Sequence, residues 1–446
     1  MRGAANTSGA RERIGVPIKR YSLTAMDAFT PNGFTAAFLG ALSLATATRL
    51  WLAQRQIGHV IRNRDAVPGS FLSTITLPAH QKAADYSVAK TRLGIADIVF
   101  GSVVLLVLTL GGGVQWVAEQ WSRVFDPAGY WHGVALVMSV VMLLAALDLP
   151  LTVYRTFVVE ARFGFNRMTP ALFLADLLKQ ALLGAALGVP LLLVVLWLMA
   201  RMGELWWLYV WLAWMGFNLL VLMIYPTFIA PLFNRFTPLA DPSLAVRIEQ
   251  LLARCGFKSQ GLFVMDGSKR SSHGNAYFSG FGAAKRIVLF DTLLTRLAPS
   301  EIEAVLAHEL GHFRRNHVWK RVAVLFAMSL VMLWVLGRLI GVDWFYAGLN
   351  VRMHGTAIAL VLFFLVVPVF TFFVQPLTSL YSRKHEFEAD AYAAVHASPA
   401  DLVHALVKLY QDNAATLTPD PLHSAFYDSH PPAATRIARL QQTPAG

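Results

Sequence analysis

The sequence predicts an all-α multi-pass membrane protein of seven transmembrane helices that also carries a small α+β domain. Three observations predict it. Of the 446 residues, 56% are hydrophobic and only 14% are charged, where soluble domains carry about 25% charged residues. Seven apolar runs recur, near 30–53, 95–118, 133–154, 171–200, 205–228, 322–341 and 356–376; a hydrocarbon core of about 30 Å needs roughly 20 residues of helix. Two stretches, 229–321 and 377–446, instead alternate polar and apolar residues, as half-buried elements of a water-facing domain do.

Residues 1–27 form a polar tail with Arg2, Arg11, Arg13, Lys19 and Arg20. Ala28 to Thr48 runs 21 residues without a charge, longer than a signal-peptide core, so a retained span is expected. Ala181–Ala200 and Gly355–Val374 are also uncharged, whereas the sixth run is short before Arg338. In the first polar stretch a helix is expected around Pro242–Cys255, with strands at "LFVMD" (262–266) and "RIVLF" (286–290). "GNAYFSGFG" (274–282) suits an edge strand and turn. Ser300 and Glu303 after Pro299 are expected to form a capping box. The second polar stretch reads as helices with proline breaks at 419–421 and 431–432.

The expected division is therefore 1–228 for the tail and spans one to five, 229–321 for the first part of the polar domain, 322–376 for spans six and seven, and 377–446 for its second part. The two polar parts are expected to pack together.

A net charge of +12 suits nucleic acid or an anionic lipid surface. The apolar content, with no basic and aromatic RNA-binding pattern, selects membrane lipid as partner and excludes nucleic acid. Loop charge sets the orientation. Segments 54–92 and 155–170 carry nine Lys/Arg, against four in 111–132, 201–205 and 338–352. This puts the first pair, both polar stretches and the C-terminus in the cytosol, and the basic N-terminal tail outside.

"AVLAHELGHFRRNHVWKR" (304–321) is where chemistry enters. His308 and His312 are one helical turn apart, so both imidazoles can reach one metal ion. Glu309 lies alongside, placed to polarise a metal-bound water. Catalytic zinc takes three protein ligands and leaves a position for water. Cys255 is the single cysteine, so the third ligand is sought among carboxylates. "SRKHEFEADAYA" (382–393) supplies Glu386, Glu388 and Asp390. Glu386 and Asp390, four apart, share a face, while Glu388 points elsewhere. Glu386 is expected to bind zinc, Asp390 to accept a hydrogen bond from the outer nitrogen of a ligating histidine, and Glu388 to sit on a solvated face with Arg383 and Lys384. The domain is thus expected to be a zincin-like metalloprotease.

These residues carry a wider resemblance. The chain resembles the type I CAAX prenyl endopeptidases, integral-membrane zinc metalloproteases of the a-factor-converting type. The resemblance rests on "EARFGFNRMT" (160–169), "YPTFIAPLFNRFTPL" (225–239), "DGSKRSSHGNAYFSGFGAAKRIVLFDTLL" (266–294), "HELGH", "SRKHEFEADAYA" and "YDSHPPAATRIARL" (427–440). It implies seven helices around a water-filled chamber with one Zn2+ per chain at the cytosolic end. It also implies a peptide or protein substrate, lipidated in the best-known case, cut near its C-terminus. His308, His312 and Glu386 match the family's zinc ligands and Glu309 its acid/base. Asn275 matches a residue of the strand that would hold the substrate backbone, and His430 and Arg436 match residues lining the site. The Ala-rich composition and a C-terminus without a lysine-based retrieval signal point to a bacterial inner membrane rather than the endoplasmic reticulum. Two other readings stand beside this one. One is a membrane quality-control zinc protease of the heat-shock type, a group with fewer spans. The other is a transporter with structural zinc, in which Glu309 would be dispensable.

Overall fold

The computed structural model describes residues 30–279 and 286–442. The basic tail at 1–27, the turn expected at 280–282 and the last four residues of the chain lie outside the described residues.

Among the described residues, seven helices are long and apolar enough to cross a membrane, the number the apolar runs imply. Helices α1 (Pro31–Arg62) and α2 (Leu77–Leu108) pack together. A short helix α3 (Gly113–Trp121) follows, then α4 (Tyr130–Tyr154), which continues as a π turn to Glu160, and α5 (Pro170–Arg201). Helix α6 (Trp206–Ile224) passes through a second π turn, Tyr225–Ile229, into α7 (Ala230–Phe233). The polar domain then gives strand β1 (Phe236–Pro238), helix α8 (Pro242–Arg254), strands β2 (Leu262–Met265), β3 (Ala276–Ser279) and β4 (Arg286–Phe290), and helices α9 (Asp291–Leu294) and α10 (Pro299–Arg314). Span six is α11 (His317–Leu339), joined through α12 (Asp343–Ala347) to span seven, α13 (Thr356–Thr371). After a tighter turn at Phe372–Val374 this rod continues as α14 (Gln375–His396); α15 (Pro399–Asp412), α16 (Pro421–Tyr427) and α17 (Ala433–Gln441) complete the fold.

Six helix starts follow one local rule. Thr30, Thr76, Thr169, Asp241, Ser398 and Asp420 each accept a bond from the first turn of the helix they precede, and each helix has proline in that turn. Both features satisfy or remove otherwise unpaired N–H groups. Helix α10 departs from the expected cap. Its N-cap is Ala298, whose N–H donates to Glu301 at 2.7 Å. Ser300 instead donates to Asp401, and Glu303 pairs with Arg247 and Arg254 of α8. Tertiary partners claim the two side chains that the local pattern assigns to the cap.

The second span also differs from the sequence expectation of 95–118. Helix α2 starts at Leu77 and stops at Leu108. Gly111–Gly113 follow, with Gly112 at φ +78°, and α3 then packs on α4. Hydropathy sees no boundary here; the glycine turn makes one.

The sheet order is β1-β2-β4-β3, with β2 and β4 parallel and β3 antiparallel at the edge. Its core is shared with α8, α10, α14 and α15, through Ile248, Leu289, Leu306, Ala393 and Ala405. A separate apolar core fills the helical bundle around Phe38, Leu136, Leu196, Leu336 and Phe363.

Tethers fix which end of the bundle carries the sheet. Arg270 reaches Asp176 at 2.7 and 3.0 Å, Arg55 reaches Asp420 at 2.9 Å, and Asn166 bridges to Ser271. At the opposite end Thr35 bonds Gly348 and Asn350 bonds Leu110. The basic segments 54–92 and 155–170 therefore lie at the same end as the sheet.

Helices α10 and α14 touch closely at Gly311. A Cβ there would lie 2.9 Å from Ala389 Cα and 3.1 Å from Ala389 O. Alanine would gain about 1 kcal/mol of helix propensity, but overpacking against backbone that cannot rotate away costs typically 1–3 kcal/mol. Gly311→Ala is therefore expected to lower the thermal midpoint of the purified protein and its metal content. A midpoint at or above that of the parent would show that the two helices separate without cost.

Candidate metal centre and active site

The close α10–α14 contact places the sequence-predicted groups together. His308 Nε2 lies 3.2 Å from His312 Nε2 and 3.4 Å from Glu386 Oε2; His312 Nε2 lies 3.4 Å from Glu386 Oε1. Donor atoms of the three residues all fall within 4.8 Å of one another. Glu386 is 2% exposed, yet its Oε2 is buried without a hydrogen-bond partner. Two imidazole nitrogens and an unsatisfied carboxylate oxygen converging on one point fit a divalent cation that accepts nitrogen and oxygen ligands.

Each histidine is oriented from behind. His308 Nδ1 is 2.8 Å from Asp390 Oδ1, and Asp390 is held by Arg436 through Nε at 2.8 Å and Nη2 at 2.6 Å. All three residues are buried. Arg436 thus spends its guanidinium on Asp390.

His312 has a second support that the sequence pattern does not announce. Its Nδ1 lies 2.9 Å from His317 Nδ1, and His317 Nε2 lies 3.0 Å from Glu388 Oε2. One proton assignment satisfies every atom. His317 Nε2–H donates to Glu388, His317 Nδ1 accepts from His312 Nδ1–H, and the lone pair of His312 Nε2 is left facing Glu386. Glu388 does point away from Glu386. It is not merely solvated, however: it holds His317, besides lying 4.0 Å from Lys384. His317 also stacks on His385, with centroids 4.0 Å apart. Asn316 in the left-handed region, φ +56°, turns the chain between α10 and α11 and brings His317 back under His312. The HFRRNH spacing is the available signal, but only the turn gives it meaning.

Burial works against a charge on His308, but Asp390 and Glu386 outweigh it and hold its pKa up at about 9. Burial and the neighbouring His308 push His312 down to about 3. Glu309 follows His308 on α10. Burial pushes its carboxyl above the ordinary range, opposed by the positive charge of His308 and reinforced by the negative charge of Glu386.

His430 approaches from the open side. Its Nε2 is 3.5 Å from Glu386 Oε2, and its side chain is 60% exposed. Asn275 lies one residue before β3 rather than within it. Its side chain accepts from Ala276 N–H at 2.8 Å, and its carbonyl accepts from Phe290 N–H. Strand β3 runs beside α10, with Phe278 and Phe313 packed at 5.3 Å.

Comparison with known proteins shows the family. Residues 56–235 match the CAAX prenyl protease N-terminal region of five membrane helices, and residues 238–444 match peptidase family M48. A CAAX prenyl protease 1 homolog of Oryza sativa subsp. japonica is 38% identical over 84% of this chain and 90% of its own length. CAAX prenyl protease 1 of Saccharomyces cerevisiae is 34% identical over 80% of this chain and 85% of its own. The crystal structure of S. mikatae Ste24p superposes with a TM-score of 0.83 at 30% identity, covering 95% of this chain and all of that one.

Loss of a donor and loss of a group that orients one should differ in effect. Glu386→Ala removes a donor atom and is expected to abolish stoichiometric metal binding. His317→Ala and Glu388→Gln leave all three donors in place and are expected to weaken metal affinity about 10- to 100-fold, the usual effect of losing a group that orients a ligand. Competition with a chromophoric chelator measures this without an activity assay. Affinity unchanged in both variants would reduce the His317–Glu388 pair to packing.

Proposed function

Because the chain belongs to peptidase family M48, with the membrane region of the CAAX prenyl proteases, and is an integral-membrane metalloendopeptidase, we propose that His308, His312 and Glu386 hold one zinc ion and that Glu309 is the catalytic acid and base. The observation that carries this reading is the convergence of His308, His312 and Glu386 on one point with Glu309 beside them on the same helix. Nitrogen and carboxylate donors in threes suit catalytic zinc. When bound, zinc supplies the Lewis acidity that brings a water to nucleophilic strength near neutral pH.

The chain's own groups do the rest. Glu309, raised by burial, takes the proton of the attacking water and returns it to the leaving amine. His430, on the exposed side of Glu386, donates a hydrogen bond to the oxyanion that develops on the scissile carbonyl. Arg436 acts through Asp390 and His308 as a positioning residue. The edge of β3 offers unpaired backbone groups alongside α10, and an extended peptide can add to such an edge as a further strand. Asn275 sets where that strand begins.

The substrate class follows from relatives named for CAAX prenyl proteins: peptides cut near the C-terminus, after a prenylated cysteine. The site faces the cytosol, since the sheet lies at the end of the bundle that carries the basic segments 54–92 and 155–170.

Three measurements test this. Glu309→Gln is expected to keep one zinc per chain and lose cleavage of a farnesyl-cysteine peptide; normal turnover would remove the mechanism. His430→Ala is expected to lower kcat about 100- to 1000-fold with KM little changed, as loss of an oxyanion donor does. A change confined to KM would make His430 a binding residue only. In a Cys255→Ser background, Gln260→Cys should label only from the cytosolic side and Arg352→Cys only from the outer side. The reverse pattern would invert the orientation.

A further inference from the structure

A second cavity lies behind the metal centre. It encloses about 1060 Å³ between the end of α1, the α10–α11 elbow, α14 and the segment from Leu417 to Arg439. Glu386 and His430 are not part of its wall; Pro431 and Pro432, which follow His430, are. None of His308, Glu309 and His312 lines it either.

Its lining is strongly basic. Arg315, Lys320, Arg383, Lys384 and Arg439 bring five formal positive charges, with His59 beside them. Glu388 is the single carboxylate among the described lining residues; it is engaged by His317 at 3.0 Å and lies 4.0 Å from Lys384, so it offsets one of the five charges. Arg383 bonds Asp428 O at 3.1 Å and Ser424 Oγ at 3.0 Å, neutral acceptors that leave its charge uncompensated. Arg439 lies over the Phe387 ring at 4.6 Å, which orients the guanidinium. A concave surface with this surplus of positive charge attracts an anion with several acceptor oxygens.

The height of the cavity in the fold selects the anion. Val374, Leu377 and Leu380 form an exposed apolar strip where span seven passes through the turn at Phe372–Val374 into α14, and Arg383 and Lys384 follow it on the next turn of α14. On span six the order is mirrored. Exposed Trp319 and Lys320 precede exposed Val324, Leu325, Met328 and Val331. Both helices thus change from basic to apolar at one level, with a tryptophan at the change, as helices do at a headgroup boundary. Leu380, Phe387 and Leu417 add apolar wall, suited to the glycerol and upper acyl chain of a lipid. We propose that this cavity binds the phosphate of an anionic phospholipid headgroup in the same leaflet as the active site.

The test uses the full chain in mild detergent, with phosphatidylglycerol and phosphatidylcholine of equal chain length and with inorganic phosphate as a separate arm. Lipid retention is read by native mass spectrometry. The parent protein is expected to retain phosphatidylglycerol in preference to phosphatidylcholine. Lys320→Gln with Lys384→Gln should weaken phosphatidylglycerol binding about 5-fold per charge removed, or about 30-fold together, and leave phosphatidylcholine unchanged. Arg123→Gln with Arg352→Gln, at the opposite end of the bundle, removes equal charge and should leave retention as in the parent. The thermal midpoint without lipid reports folding, and the two single variants should each show the partial loss. Displacement of the lipid by millimolar inorganic phosphate alone would make free phosphate the occupant and overturn the lipid assignment. Equal retention of the two lipids, or undiminished phosphatidylglycerol binding by the double lysine variant, would overturn the site.

Discussion

The approach of α10 to α14 at Gly311 and Ala389 is the constraint on which the rest of the site depends. Neither helix holds a complete ligand set. The first brings two imidazoles separated by one turn, the second a carboxylate and, one turn on, another. Nε2-to-carboxylate distances of 3.4 Å exist because the backbones meet without an intervening side chain. Leu306, Ala307 and Leu310 on one helix and Ala389 and Ala393 on the other are buried, so apolar burial holds the contact and the polar groups occupy what remains.

Around that contact the protein arranges charge asymmetrically. His308 leans on Asp390, which is tied to a buried arginine. His312 leans on a neutral imidazole that is tied to a half-exposed glutamate. The first arrangement is rigid and closed to water. The second reaches the surface through Glu388. The two proposed ligands of the same chemical type therefore have unequal basicity and unequal contact with solvent, an inequality that the symmetric letters of HELGH do not reveal.

Much of this is legible in the sequence, for identifiable physical reasons. Spans show because an uncharged run near 20 residues is long enough to cross a bilayer and too apolar for a helix that faces water. The histidine pair shows because four residues make about one helical turn. Strands at 262–265 and 286–290 show because β-branched and aromatic residues cluster there. What stays hidden depends on partners distant in the chain. The local pattern makes Glu303 a cap, but Arg247 and Arg254 hold it. Helical spacing gives only the direction of Glu388 relative to Glu386, and its partner sits 71 residues earlier on another helix. The second span shifts because apolar residues continue across a glycine turn.

Span seven and the helix bearing Glu386 form one rod from Thr356 to His396, interrupted only by the tighter turn at Phe372–Val374. Helix α10 is likewise joined, through Asn316, to span six. Both walls of the proposed metal site are thus continuous with a membrane span and both pack in the core of the water-facing domain. A helix adjusts to a thinner or thicker bilayer by tilting or sliding, and each residue of such travel along the axis is about 1.5 Å. A change in bilayer thickness would therefore load both helices of the proposed site together, and the ion pairs from Arg55 to Asp420 and from Arg270 to Asp176 join the bundle to the water-facing domain against such a shift.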